Sequence, residues 1–377
     1  MQPINVDPFI VIGPRVHKSP FFEATRRYGC NAYSVYNHMY MPLYYEDPVA
    51  DYWQLINNVT VWDVACERQV EITGQDAFRF VQRLTPRNLT KCRIGQCKYV
   101  PITAEDGGML NDPVLVRLGE NHFWLSLADL DILLWVRAIA ISGDLDVTIT
   151  EPDASPLAVQ GPRAVEVVAD LLGDWVKDLR YFWFRETTMD GIPLVVARTG
   201  WSKQGGYELY LRDVKRGDEL WDRVMEAGKP YKITPGAPST IERIESGLLS
   251  YGSDMTMETN PFEVGLGKYV DLDQEAEFIG KAALRRIKAE GIRRKMVGIE
   301  IEGDQLTGNE HYWTVRHNGE PTGMVTSSTY SPRLEKNIAF AIVSIANAEL
   351  GTRLTVETPL GLTDATVVPL PFIDPPI

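Results

Sequence analysis

Cysteine and histidine are both scarce in this chain. The four cysteines, Cys30, Cys66, Cys92 and Cys97, form no CxxC pair and have no histidine at metal-ligand spacing. Zinc-ribbon and thioredoxin-like readings therefore fail, and all four are expected as reduced thiols in a reducing compartment. The five histidines, His17, His38, His122, His311 and His317, are dispersed, so no metal site is expected. Basic runs are missing as well. A net charge of -13 repels a phosphate backbone, which argues against nucleic acid as a partner. No stretch of about 18 apolar residues occurs, and residues 1–11 carry no basic segment ahead of an apolar core. A cytoplasmic protein with no membrane partner is expected. Also absent are GxxxxGK[ST], GxSxG, HExxH and a helix-opening GxGxxG, which removes phosphate cradles, triad hydrolases and zinc proteases from consideration.

What is present reads as a folded globular chain. Apolar residues make up 44% and charged residues 24%, a balance that excludes extended disorder. A length of 377 residues exceeds one ordinary core and predicts two or three compact units. The pattern is mixed α and β. SPFFEATRRY predicts a helix with Ser19 as its N-cap, and Val59 to Ile72 predicts strands. DAFRFVQRL predicts a helix with Phe78, Val81 and Leu84 on one face. Asp106-Gly107-Gly108 predicts a turn, followed by a strand that Pro113 interrupts, with a kink or edge at Asp112. IPLVVARTG and YELYLRD predict a hairpin around the loop WSKQGG. IERIESGLLSY predicts a helix whose apolar stripe is Ile241, Ile244, Leu248 and Tyr251, with Arg243 off it. From Met296 onward, short alternating runs predict a separate small β domain.

Several residues stand out, each with two readings. Asp112 in an apolar context needs a donor, either a ligand N–H or the neighbouring Gly-rich turn. Glu208 and Tyr210 share one face of their strand, which either lines a pocket or faces water. Trp201 either anchors its loop or offers a ring face to a cation. Lys203 either pairs an anionic group or is a solvated loop lysine. In the tyrosine-rich stretch YSVYNHMYMPLYY, aromatic core packing competes with ligand contact for Tyr36 and His38.

The order of segments is distinctive: ITGQDAFRFVQRLT, GQCKY, EDGGMLNDPVLV, PLAVQGP, ARTGWSKQGGYELY, RIESGLLSYGSDM, NPFEVGLGKYVDL, FIGKAAL and SSTYSPRLEKNIAFAIV. In this order they resemble the aminomethyltransferase (glycine cleavage T-protein) superfamily over nearly the whole chain. The resemblance implies an α+β fold of three domains in a cloverleaf around a central folate channel, the C-terminal one a small β-barrel. It places two interleaved domains in 19–285 and the barrel in 290–372. It also implies tetrahydrofolate as cofactor, with Tyr99, Asp112, Glu208 and Arg243 contacting it and Asp112 as the catalytic group.

The departures from the pattern are informative. T-proteins usually carry FDxSHM where this chain has WDVACER, and TGEDGFE where it has TGWSKQGGYE. The variant loop, with NAYSVYNHM and IERIESGLLSYGSDM, is similar to dimethylsulfoniopropionate demethylases, which move a sulfonium methyl to tetrahydrofolate. That similarity implies a small sulfonium substrate, with Trp201, Tyr210, Lys203, Tyr36 and His38 as donor contacts and a homodimer left open. Such a methyl is already activated, so neither a strong acid nor a metal is required. Ring faces rather than an opposing carboxylate are expected to hold the cation. Aminomethyl, methylamine or betaine donors are the alternative substrates. A non-enzymatic folate-binding accessory role is the alternative class, disfavoured because Gly95-Gln96-Cys97-Lys98-Tyr99 lacks the KGCYxGQE motif of such proteins.

Overall fold

A computed structural model describes residues 12–374. The reading of residues 1–11 as lacking an export signal lies outside that range. Three β-structures organise the chain. A six-stranded sheet has the order Phe184–Met189, Ile192–Ala197, Gly206–Leu211, Ser155–Gln160, Thr60–Asp63 and Thr234–Gly236. A five-stranded sheet has the order Thr148–Thr150, Gln69–Thr73, His122–Ser126, Val114–Gly119 and Cys97–Tyr99. From Arg294 to Val368 six strands close into a barrel, its first strand pairing with both the fourth and the last. Closure leaves that barrel no free edge.

Each β-structure has its own core. Helices Ala164–Leu172 and Gly217–Gly228 pack Val167, Val168, Leu220 and Trp221 against the six-stranded sheet. Helices Ala77–Leu84 and Leu133–Ile141 cover the five-stranded sheet. The first of these buries Ala77, Phe80, Val81 and Leu84, with Phe78 at the margin of the stripe. The barrel is filled by Val297, Ile299, Trp313, Val315, Ala341 and Val356. A fourth cluster, including Cys97, Trp124, Val195 and Tyr210, forms where the two sheets meet. With layers on both sides, the strand Gly206–Leu211 is apolar or buried along both faces, which overturns the solvated reading of Glu208 and Tyr210.

The expected hairpins form, as do the strands in 59–72 and the C-terminal barrel. Two local expectations change. The first helix, Phe22–Arg27, has no side-chain cap; Ser19 instead accepts from the Phe21 N–H at 3.1 Å and donates to Asp63, fastening the chain to the six-stranded sheet. The helix expected over 241–251 is only Thr240–Glu245, because Gly247 at φ +71° turns the chain out of it. All four cysteines are free thiols. No helix among the described residues is long and apolar enough to cross a membrane.

Candidate functional site

The loops at the junction of the two sheets, the N-terminal hairpin and helix Thr240–Glu245 enclose a cavity of about 380 Å³. That size accommodates a small-molecule ligand. Its wall includes Tyr36, Glu67, Tyr99, Asp112, Trp201, Glu208 and Arg243.

Asp112 reaches the cavity because of how its strand is held. The hairpin of Ile102–Thr103 with Met109–Asn111 turns at Gly107, whose φ of +90° suits glycine, and Asp106 accepts the Gly108 N–H at 2.9 Å. At the end of the hairpin Asn111 acts as a clamp. Its amide donates to the carbonyls of Asp129 and Leu130 at 2.8 and 2.9 Å, and its carbonyl oxygen accepts from the N–H groups of Ala128 and Asp112. Pro113 then breaks the ladder and Asp112 turns inward. Tyr99 donates to Asp112 Oδ2 at 2.8 Å, while Oδ1 is buried with no partner. Burial pushes the Asp112 carboxyl from 3.8 up to about 7.

Glu208 sits behind the Trp201 loop. Its Oε2 accepts from the Thr199 hydroxyl and from Tyr210 at 3.2 Å, and burial raises its pKa. The loop itself hangs on Gln160, which accepts from Ser202 Oγ at 2.7 Å and donates to the Thr199 carbonyl at 3.3 Å. Gly200, at φ +149°, lies so close that a Cβ there would collide with the Gln160 carboxamide. Trp201 is thereby held on the cavity wall, with the Arg243 guanidinium 6.0 Å from its ring centroid.

Arg243 is itself committed. It donates to Asp254 at 2.8 Å and to Ser327 of the barrel at 2.7 Å. Both members of that ion pair are buried, the arrangement in which removing one partner is most damaging.

Three residues expected at the site lie elsewhere. Tyr210 is fully buried one layer back, its ring 6.0 Å from that of Trp124, because the strand carrying it is central to the sheet. Lys203, at φ +51°, folds away and donates to the Ser246 carbonyl at 2.7 Å, so it does not reach the cavity. His38 is exposed in the two-residue turn Asn37-His38, where both residues have positive φ. The turn presents Tyr36 inward instead.

Glu67 is a wall residue that no sequence motif marks. It lies in the loop between strands Thr60–Asp63 and Gln69–Thr73, whose ends fix its direction. Arg68 turns outward to pair Asp131 at 2.7 Å and Glu151 at 2.6 Å, and Glu67 turns in. Its pKa is pushed well up by burial and by the Glu208 and Asp112 carboxylates. Only its place inside the divergent WDVACER segment singles it out in the sequence. A carboxylate on this wall departs from the expectation of ring faces alone.

Comparison with known proteins agrees with this architecture. Residues 21–274 match the GCVT N-terminal domain, and residues 294–374 match the glycine cleavage T-protein C-terminal barrel domain. The chain is 44% identical to a dimethylsulfoniopropionate demethylase of Ruegeria pomeroyi, covering 94% of this chain and 96% of that one. It is 36% identical to an aminomethyltransferase of Shouchella clausii, over 84% and 87% of the two chains. The crystal structure of the glycine cleavage system aminomethyltransferase T from Bartonella henselae superposes with a TM-score of 0.86 at 23% identity, over 96% of this chain and 99% of that one, a likeness of fold. The matched domains and the relatives together establish that this chain belongs to the glycine cleavage T-protein family.

Proposed function

We propose that this enzyme transfers a methyl group from dimethylsulfoniopropionate to N5 of tetrahydrofolate, giving 5-methyltetrahydrofolate and 3-methylmercaptopropionate. The observation that carries the reading is a cavity with an acidic, aromatic wall, in which the buried Asp112 Oδ1 lacks a donor. The polar groups present fit a reduced pterin, whose N–H groups are what an unpaired buried carboxylate requires. Tetrahydrofolate, when bound, supplies the nucleophilic nitrogen that takes the methyl group.

Every other task falls to the chain. Tyr99, Asp112 and Glu208 bind and orient the pterin, and Arg243 shapes the adjoining wall. Asp112, fixed by the Asn111 clamp, takes up the proton displaced from the pterin at Oδ1. A carboxyl that titrates near 7 is well matched to that duty at neutral pH. Trp201 and Tyr36 present ring faces to the donor cation, each contributing about 0.5–2 kcal/mol. Holding donor and acceptor together in one cavity supplies the effective molarity that an activated sulfonium methyl needs. No acid is required for the leaving thioether, which departs neutral.

The experiment is direct. Purified protein is incubated with dimethylsulfoniopropionate and tetrahydrofolate, and products are followed by mass spectrometry. Formation of 3-methylmercaptopropionate is the expected result. Transfer only from a methylamine, or aminomethyl transfer, would overturn the choice of donor.

A further inference from the structure

The charges on the cavity wall do not balance. Its charged side chains are Glu67, Asp112, Glu208 and Arg243. Arg243 is neutralised by Asp254, so the wall offers no free positive charge. Asp112 and Glu208 each have hydroxyl donors, from Tyr99 and from Thr199 and Tyr210. Glu67 differs, because its carboxylate meets no donor and no ion-pair partner among the described residues. That carboxylate is open to the cavity, so a cation that enters can pair with it directly.

The shape of the site limits what can enter. No three of the described His, Cys, Asp or Glu side chains converge to hold a metal ion. Glu67 shares the cavity wall with the Asp112 and Glu208 carboxylates and with Tyr36, Cys66, Val64 and Met41, so its anionic side is bordered by apolar and polarisable groups. A methylated onium centre matches it, being large, weakly hydrated and unable to donate strong hydrogen bonds. A compact, strongly hydrated ammonium does not.

We propose that Glu67 is the specificity-determining residue of this site, selecting methylated onium donors over neutral molecules of the same shape by pairing its carboxylate with the donor cation. The proposal deepens the function assigned above and rests on that reading for the identity of the donor. Its kinetic consequence follows from where the charge goes. Methyl transfer moves positive charge from the donor sulfur to the pterin nitrogen, both within the same cavity. Glu67, paired to the donor, stabilises the reactant at least as much as the transition state, so its contribution goes to binding and not to the chemical step. It acts on KM and leaves kcat nearly unchanged. The same logic accounts for its raised pKa, since without a ligand no positive charge offsets its two acidic neighbours.

The test compares charged and neutral isosteres in the wild type and in Glu67→Gln, which preserves shape. Calorimetry measures Kd for dimethylsulfoniopropionate against 4-methylpentanoate, and for 3-(trimethylammonio)propionate against 4,4-dimethylpentanoate. The wild type is expected to favour the charged member of each pair by about tenfold or more. In Glu67→Gln that ratio falls to within about twofold, while tetrahydrofolate affinity stays within about twofold of wild type. Steady-state turnover should show KM for the sulfonium raised about tenfold, with kcat within about threefold. An unchanged ratio in the variant, or an equal loss of affinity for charged and neutral members, overturns the proposal. If the wild type shows the Glu67-dependent preference yet does not demethylate dimethylsulfoniopropionate, the selectivity role stands and the assigned reaction falls. If the wild type turns the sulfonium over but does not discriminate within either pair, the reaction stands and the selectivity role of Glu67 falls.

Discussion

Asp112 combines an unpaired oxygen with a carboxyl that titrates near neutrality, and both properties come from burial. Its protonated form is the one the fold favours. Between its ordinary 3.8 and about 7 the folded state holds more protons than the unfolded one, so this group's contribution to stability falls as pH rises through that window. Activity runs the opposite way, because proton uptake requires the ionised form. In pH profiles, kcat/KM should climb through about pH 7 and then level off. Asp112→Asn should abolish that limb and lower kcat about 100-fold or more, with the fold intact by circular dichroism. Glu67 and Glu208 are also shifted upward, so a limb that survives in Asp112→Asn would assign the titration to them. Trp201→Ala should weaken donor binding about tenfold, read as Kd, and unchanged binding would remove Trp201 from the donor site. Among individual residues, local pattern left Asp112 beside its proline and Trp201 in its glycine-rich loop with two readings each, and the family resemblance favoured the ligand-facing ones; both residues lie on the cavity wall. Glu67 and the Asn111 clamp were not legible, since Asn111 matters through the backbone at 128–130 and Glu67 through its place on one wall with Asp112 and Glu208, all distant in the sequence.

At the scale of elements, hydrophobic period located strands and helices well but could not say how many layers would cover them. Glu208 and Tyr210 alternate with Tyr207 and Leu209 as a half-exposed strand would, yet sheet-on-sheet packing buries all four. That is why Tyr210 lies behind the wall instead of on it. Lys203 departs from expectation for a different reason, as its positive φ turns it toward the Ser246 carbonyl, a loop conformation that composition does not reveal. The loop and the clamp can be tested as elements. Gly200→Ala should displace the Gln160 carboxamide and with it Trp201, raising donor KM severalfold while Asp112-dependent pH behaviour persists. Asn111→Ala leaves the carbonyls at 128–130 short of a donor. Its expected cost is about 1–3 kcal/mol in denaturant unfolding, with a fall in kcat as Asp112 loses its anchor.

Across the whole molecule, two buried ionic clusters tie the barrel to the cavity wall through the short helix Thr240–Glu245. Arg243 meets Asp254 and Ser327, and the fully buried Glu245 receives Tyr52 at 3.0 Å, the Ser331 hydroxyl at 2.5 Å and the Arg333 guanidinium. Arg333→Ala should destabilise the protein by about 3 kcal/mol, because it leaves a carboxylate buried without its cation. A depressed midpoint in chemical denaturation is the readout, and an unchanged midpoint would mean the Tyr52 and Ser331 donors suffice. The barrel was legible in the sequence as a run of alternating segments, but nothing in that run announced its hold on the ligand chamber. Its reach gives the C-terminal third a second occupation besides its own folding. A polypeptide halted before Arg294 would strand Glu245 without Ser331 and Arg333, and rob Arg243 of Ser327. During synthesis, then, these anchors of the chamber are missing until the stretch carrying Ser327, Ser331 and Arg333 has been made.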